Sequence, residues 1–164
     1  MLTFASPVGM ARGTLSDLLS QAYDGYERID PEQCAQWREA WGEFDEFAER
    51  DLSWSAGWLF LTRIGERTIG FASWDPSKRP RAVIGHNCIV PAHRHRGYGL
   101  AQMREVIGRL AAQGFAEATV RTGQDDFFLP ARKMYERAGF RETGRQVVDG
   151  HAVVDYRLAI ESAG

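Results

Sequence analysis

A chain of 164 residues with 44% hydrophobic content is long enough to bury the core of one domain. Twenty Lys and Arg against 22 Asp and Glu leave a formal net charge of −2, which excludes the basic balance of a general nucleic-acid binder. Two cysteines, Cys34 and Cys88, make no disulfide framework, Met1 to Met10 lacks a leader pattern, and no apolar run reaches a membrane span, so a soluble cytoplasmic protein without membrane association is expected.

Residues 2–5 have the composition of a short strand, whose end is blurred by Pro7 and Gly9. Thr14 or Ser16 is placed to cap a helix running to about Tyr26, with Leu15, Leu18, Leu19 and Ala22 on one face. Asp30-Pro31 reads as an N-cap followed by proline at the first helical position. The helix it opens, roughly 31–50, spaces Trp37, Trp41, Phe44 and Ala48 on one side. That stripe reads as core, and it is compatible with a helix bordering a cleft.

Trp54 and Trp58 introduce a buried-strand composition at 58–63. A hairpin turn at 64–67 leads into a second strand, 68–74. Prolines and charges make 75–80 a loop, and 81–90 is the third strand of this meander. A helix over 98–113 follows, with Leu100, Met103, Ile107, Leu110 and Ala111 at helical spacing and Gly114 as its C-cap. A strand over 116–122 precedes a helix over 127–138, with Asp125 or Asp126 as cap and Pro130 in the first turn. Segments 140–148 and 153–159 form a closing antiparallel pair around Asp149-Gly150. The order α-α-β-β-β-α-β-α-β-β, without repeat or linker, predicts an α+β single domain over 1–164 built on one sheet.

The junction of the third strand and the next helix, Arg94-His95-Arg96-Gly97-Tyr98-Gly99, is the most informative stretch. Two glycines two residues apart let the backbone approach a bulky ligand, because neither carries a Cβ. The turn ends at a helix N-terminus, whose unpaired N–H groups and dipole favour an anion. Arg94 and Arg96 add positive charge, and no acid occurs from Pro76 to Arg104. A diphosphate cradle is expected. The Walker pattern fails because no Lys follows Gly99, and G-x-G-x-x-G fails because Gln102 stands at its third glycine.

The pattern R-x-x-G-x-G resembles the acyl-CoA pyrophosphate loop of the GNAT N-acetyltransferase superfamily, Q/R-x-x-G-x-G/A. Downstream, Ala131, Tyr135, Glu136, Gly139 and Phe140 resemble the family's later signature, A-x-x-x-Y-E-x-x-G-F. The resemblance covers about residues 84 to 140. It implies a mostly antiparallel central sheet flanked by helices, with central strands that splay at the cofactor. It implies acetyl-CoA as co-substrate, with backbone groups of Asn87, Cys88 and Ile89 pairing with the pantetheine arm. Amides of Arg94, His95, Arg96, Gly97, Tyr98, Gly99 and Leu100 would hold the pyrophosphate. Tyr135 would protonate the departing thiolate, a role a phenol can fill. One departure stands out: Phe128 occupies the position of the family's usual Asn, seven residues before the tyrosine.

The general base is less defined. Where some members carry a glutamate this chain has Val83, and His86 is the nearest titratable side chain. Strand alternation puts His86 opposite Asn87 unless a bulge intervenes, so a water relay or an acid of the Asp24–Asp51 segment are alternatives. That segment holds ten acids against Arg28, Arg38 and Arg50, which suits a cationic acceptor. His86, Cys88, His93 and His95 follow H-x-C-x4-H-x-H, which is not a common zinc spacing, and no metal is expected. Cys88 lacks an activating partner for nucleophilic work and reads as packing.

The expected activity is acetyl transfer from acetyl-CoA to a primary amine of a small cationic molecule, by direct attack in a ternary complex. A non-catalytic acyl-CoA sensor on the same scaffold is the alternative. The C-terminal hairpin offers an edge on which a second copy could pair as a homodimer.

Overall fold

The computed structural model describes residues 1–161. The elements are β1 (Leu2–Ala5), α1 (Thr14–Ala22), α2 (Pro31–Glu49), α3 (Leu52–Ser55), β2 (Leu59–Ile64), β3 (Arg67–Asp75) and β4 (Arg81–Ile89). They continue with α4 (Tyr98–Ala112), β5 (Glu117–Gly123), α5 (Leu129–Arg137), β6 (Arg141–Val148) and β7 (His151–Ala159). Single turns of 3-10 helix sit at Pro76–Lys78, Pro91–His93 and Asp126–Phe128, and a longer one at Asp24–Arg28. Strand order is β1-β2-β3-β4-β5-β7-β6 in one seven-stranded, mostly antiparallel sheet. The α+β architecture follows the expected order α-α-β-β-β-α-β-α-β-β, with β1 at its start and α3 added.

Two compact units share the chain. The first comprises Met1–Ser73 and His86–Tyr98, the second Trp74–Gly85 and Gly99 onward. In the first unit, β1 and β2 pair antiparallel from Leu2↔Ile64 to Ala5↔Leu61, and β2 pairs β3 with a bulge at Thr62/Arg63. Leu59, Phe60, Ile69 and Phe71 are fully buried there, as alternation alone would not require. Leu15, Leu19 and Ala48 fill the helical side of its core. Gly70 answers a local demand: a Cβ there would run into the backbone carbonyl of Cys88.

In the second unit, β5 pairs β7 antiparallel from Glu117↔Ala159 to Gly123↔Val153, and β6 pairs β7 as the edge strand. Parallel pairing of β4 with β5 covers only Arg81↔Glu117 to Val83↔Thr119, although both strands run on. Met103, Val106 and Leu110 of α4 are fully buried, as the helical spacing predicts. Gly114 takes φ 83° just past α4, in the left-handed region that ends helices.

Two caps differ from expectation. Neither Thr14 nor Ser16 caps α1; the cap position is Gly13, at φ 86°, with no local side-chain bond. The carboxylate of Asp45, on α2, accepts the N–H of Gly13 at 3.0 Å and of Ser16 at 2.9 Å. Those are the donors that a capping box satisfies, here supplied from another helix. At the start of α5 neither Asp125 nor Asp126 acts as cap: the cap position is Phe128, without a side-chain bond. Asp30 does cap α2, accepting from the Gln33 N–H at 3.0 Å.

Asp45 is 3% exposed, so deleting its carboxylate strands two donors with little water to replace it. We expect Asp45→Ala to lower the unfolding free energy by about 2 kcal/mol and Asp45→Asn by about half as much. Urea denaturation followed by circular dichroism measures both, and an unchanged midpoint for Asp45→Ala would contradict the tether.

Candidate functional site

The site is built on the run from β4 into α4. After Ile89, Val90 donates its N–H to the Ile69 carbonyl at 2.8 Å, which keeps the chain on β3 for one more residue. A 3-10 turn, Pro91–His93, reverses direction, with the His93 N–H on the Val90 carbonyl at 3.0 Å. His95 then adopts φ 62° and Gly97 φ 80°, two left-handed residues around an exposed Arg96. A non-glycine residue in that region costs roughly 1–2 kcal/mol and persists only where its surroundings impose it. The chain passes directly into α4, a 15-residue helix whose first N–H groups have no intrahelical acceptor.

Arg94 opens this loop, and its side chain turns inward. Its Nε donates to the Ile89 carbonyl at 3.0 Å and its Nη2 to the Ala22 carbonyl at 2.7 Å. Burial presses its pKa downward, opposed by the neighbouring Cys88 and Tyr23. Ala22 is the last residue of α1, where a cation meets the negative end of the helix dipole. Sequence reasoning counted Arg94 as charge beside the loop and missed this contact, because its partner lies 72 residues away.

Within β4, Cys88 is buried, and burial pushes its thiol up to about 12 despite a backbone hydrogen bond from Phe71 and the charge of Arg94. A thiol so protonated is no nucleophile at neutral pH. His86 is half-buried, its ring edge-on to Phe44 at 4.8 Å between centroids, and its carbonyl accepts from the Ser73 hydroxyl at 2.7 Å. Burial lowers its pKa from 6.5, so the ring is neutral at pH 7. Asn87, beside it, is half-buried as well. The first unit thus gathers His86 to Ile89 and Arg94 to Tyr98 on one continuous segment.

Gly99, Leu100 and Tyr135 belong to the second unit. Tyr135 is 4% exposed, with its ring edge-on to Phe140 at 5.8 Å and tilted against Tyr156 at 6.0 Å. Phe128, the departure from the family pattern, lies over the backbone of Gly123, where a Cβ would collide with its ring. Arg132 steadies the same turn by donating Nη1 to the carbonyls of Gly123 at 2.6 Å and Asp125 at 2.9 Å.

Four of the ten acids in the Asp24–Asp51 segment are structural. Glu27 pairs with Arg38 at 2.7 Å, Asp30 and Asp51 cap helices, and Asp45 holds α1. Glu39, Glu43 and Glu46 remain exposed along α2. Among the described residues, no group of three or more His, Cys, Asp or Glu side chains is arranged to hold a metal ion. None of the described helices is long and apolar enough to cross a membrane.

His86 gives the site a pH signature. Its folded pKa is depressed, so its neutral form contributes fully above 6.5, and stability falls as pH drops from 6.5 toward the lower folded value. We expect urea denaturation to show wild-type stability declining between pH 6.5 and 5 more steeply than that of His86→Gln. Parallel profiles would contradict this.

Comparison with known proteins now bears on this geometry. None of the curated proteins matches the chain significantly. Among solved structures, a Desulfovibrio desulfuricans protein assigned as a GNAT-family acetyltransferase superposes with a TM-score of 0.77 at 18% identity, covering 98% of this chain and 100% of its own. A Bacillus subtilis acetyltransferase solved with CoA gives 0.67 at 15% identity, covering 98% of each. A Salmonella typhimurium protein assigned as an acetyltransferase, solved with its cofactor acetyl-CoA, gives 0.62 at 14%, covering 99% of this chain and 96% of that one. At such identities these likenesses speak for the fold. Family profiles reach further: residues 23–140, which include the whole β4–α4 loop and end at Phe140, match the Acetyltransferase (GNAT) family, and the chain belongs to it.

Proposed function

We propose that the chain is a single N-acetyltransferase domain that moves an acetyl group from acetyl-CoA to a primary amine of a small cationic molecule. The observation that carries this reading is the path of the β4–α4 loop. Left-handed His95 and Gly97 flank an exposed Arg96, and Tyr98, the first residue of α4, follows at once. Amides of residues 94–100 would hold the pyrophosphate, and backbone groups of Asn87, Cys88 and Ile89 the pantetheine arm. Such contacts depend on main-chain shape more than on side-chain identity. The two superposed proteins solved with CoA and acetyl-CoA support the choice of donor.

Acetyl-CoA supplies the activated thioester; the chain supplies alignment and proton handling. Holding amine and carbonyl together removes the entropy of a bimolecular encounter, and fixed amide donors stabilise charge developing on the carbonyl oxygen. Neutral His86 can accept a proton from the attacking amine, directly or through water. Tyr135 would donate its phenolic proton to the thiolate as the C–S bond breaks. Exposed Glu39, Glu43 and Glu46 favour a cationic acceptor.

Thiol release from acetyl-CoA with a panel of amines tests the reading. Cationic amines are expected to outperform neutral and acidic acceptors, and Tyr135→Phe to lower kcat about 100-fold while leaving CoA affinity unchanged. Tight CoA binding with no turnover of any acceptor would favour a sensor instead.

A further inference from the structure

The Arg94 side chain reaches two places at once. Through Nε it holds the carbonyl of Ile89, the last residue of β4, at 3.0 Å, and through Nη2 the carbonyl of Ala22, the last of α1, at 2.7 Å. The residue after Ala22 is Tyr23, whose ring lies 5.4 Å from that of Trp37 and 5.2 Å from that of Trp41, both on α2. Tyr26, in the 3-10 turn that follows, packs on Trp37 at 4.9 Å. One guanidinium therefore joins the first residue of the amide-lined loop to the turn between α1 and α2 and, through it, to the aromatic stripe of α2.

We propose that Arg94 is a positioning residue that couples the β4–α4 loop to the Ala22–Arg28 turn, so that filling the loop orders the turn and sets α2 against it. This rests on the coenzyme reading above and goes beyond it, because amide cradling of a diphosphate needs no contact with α1. The chemistry supports a tie. A planar, forked donor can satisfy two carbonyls in fixed directions, which a lysine ammonium does not reproduce. Helix ends are also where local opening begins, so the last turn of α1 and the 3-10 turn after it are poised to respond. Coupling of this kind is reciprocal: whatever binds against the turn and α2 should tighten the loop by the same factor.

Hydrogen exchange measured by mass spectrometry, with coenzyme A as probe, decides it. In wild-type protein we expect coenzyme A to slow exchange over 94–101 and, by roughly tenfold, over 19–30. At coenzyme A concentrations that saturate the protection of 94–101 in each variant, Arg94→Met should lose the second effect, with Arg94→Lys between it and wild type. For the same acceptor, Arg94→Met should raise KM for the amine more than it lowers kcat. Protection confined to 94–101 in wild type, or protection of 19–30 that survives Arg94→Met, overturns the coupling and leaves the coenzyme site standing. Absence of protection at 94–101 removes both. Should Arg94→Met fail to fold, wild-type protein and Arg94→Lys give the answer.

Discussion

Two main-chain carbonyls, those of Ile89 and Ala22, meet one guanidinium, and that meeting fastens the start of the β4–α4 loop to the end of α1. With Arg94 turned inward, just past the 3-10 turn, the residues after it reach the start of α4 within four positions. They do so through left-handed His95 and Gly97. His95 lies in the middle of that passage, a non-glycine residue held in the left-handed region.

Burial separates packing from chemistry in the first unit. Gly70 allows the β3 backbone to lie against the Cys88 carbonyl, and the Cys88 thiol, itself buried, stays protonated. His86, two residues earlier and half-buried, keeps a neutral ring. Arg96 on the loop and Glu39, Glu43 and Glu46 along α2 are exposed.

Most elements could be read from the sequence, because their periodicities are strong and their stop signals local. Asp30-Pro31 marked the start of α2, and Asp149-Gly150 the turn between β6 and β7. The loop was equally visible, since its glycines and arginines are contiguous. What escaped depended on partners far along the chain. Asp45 looked like one acid among ten, yet it completes the N-terminus of a helix 29 residues earlier. Arg94 looked like surface charge, yet its acceptor at Ala22 lies at the end of α1. Phe128 signalled only a missing polar group; that its ring covers Gly123 follows from the bend between β5 and α5. The short helix α3 was passed over because Trp54 read only as the approach to the strand at 58–63, whereas Asp51 caps a helical turn there.

Titration calorimetry of the purified protein with coenzyme A tests the central claim most directly. A loop that clasps the diphosphate through its amides predicts saturable heat with micromolar affinity, weakened at least tenfold by Gly97→Val, whose side chain opposes the φ of 80° at that position. No heat at millimolar coenzyme A, or an affinity indifferent to Gly97→Val, would contradict it.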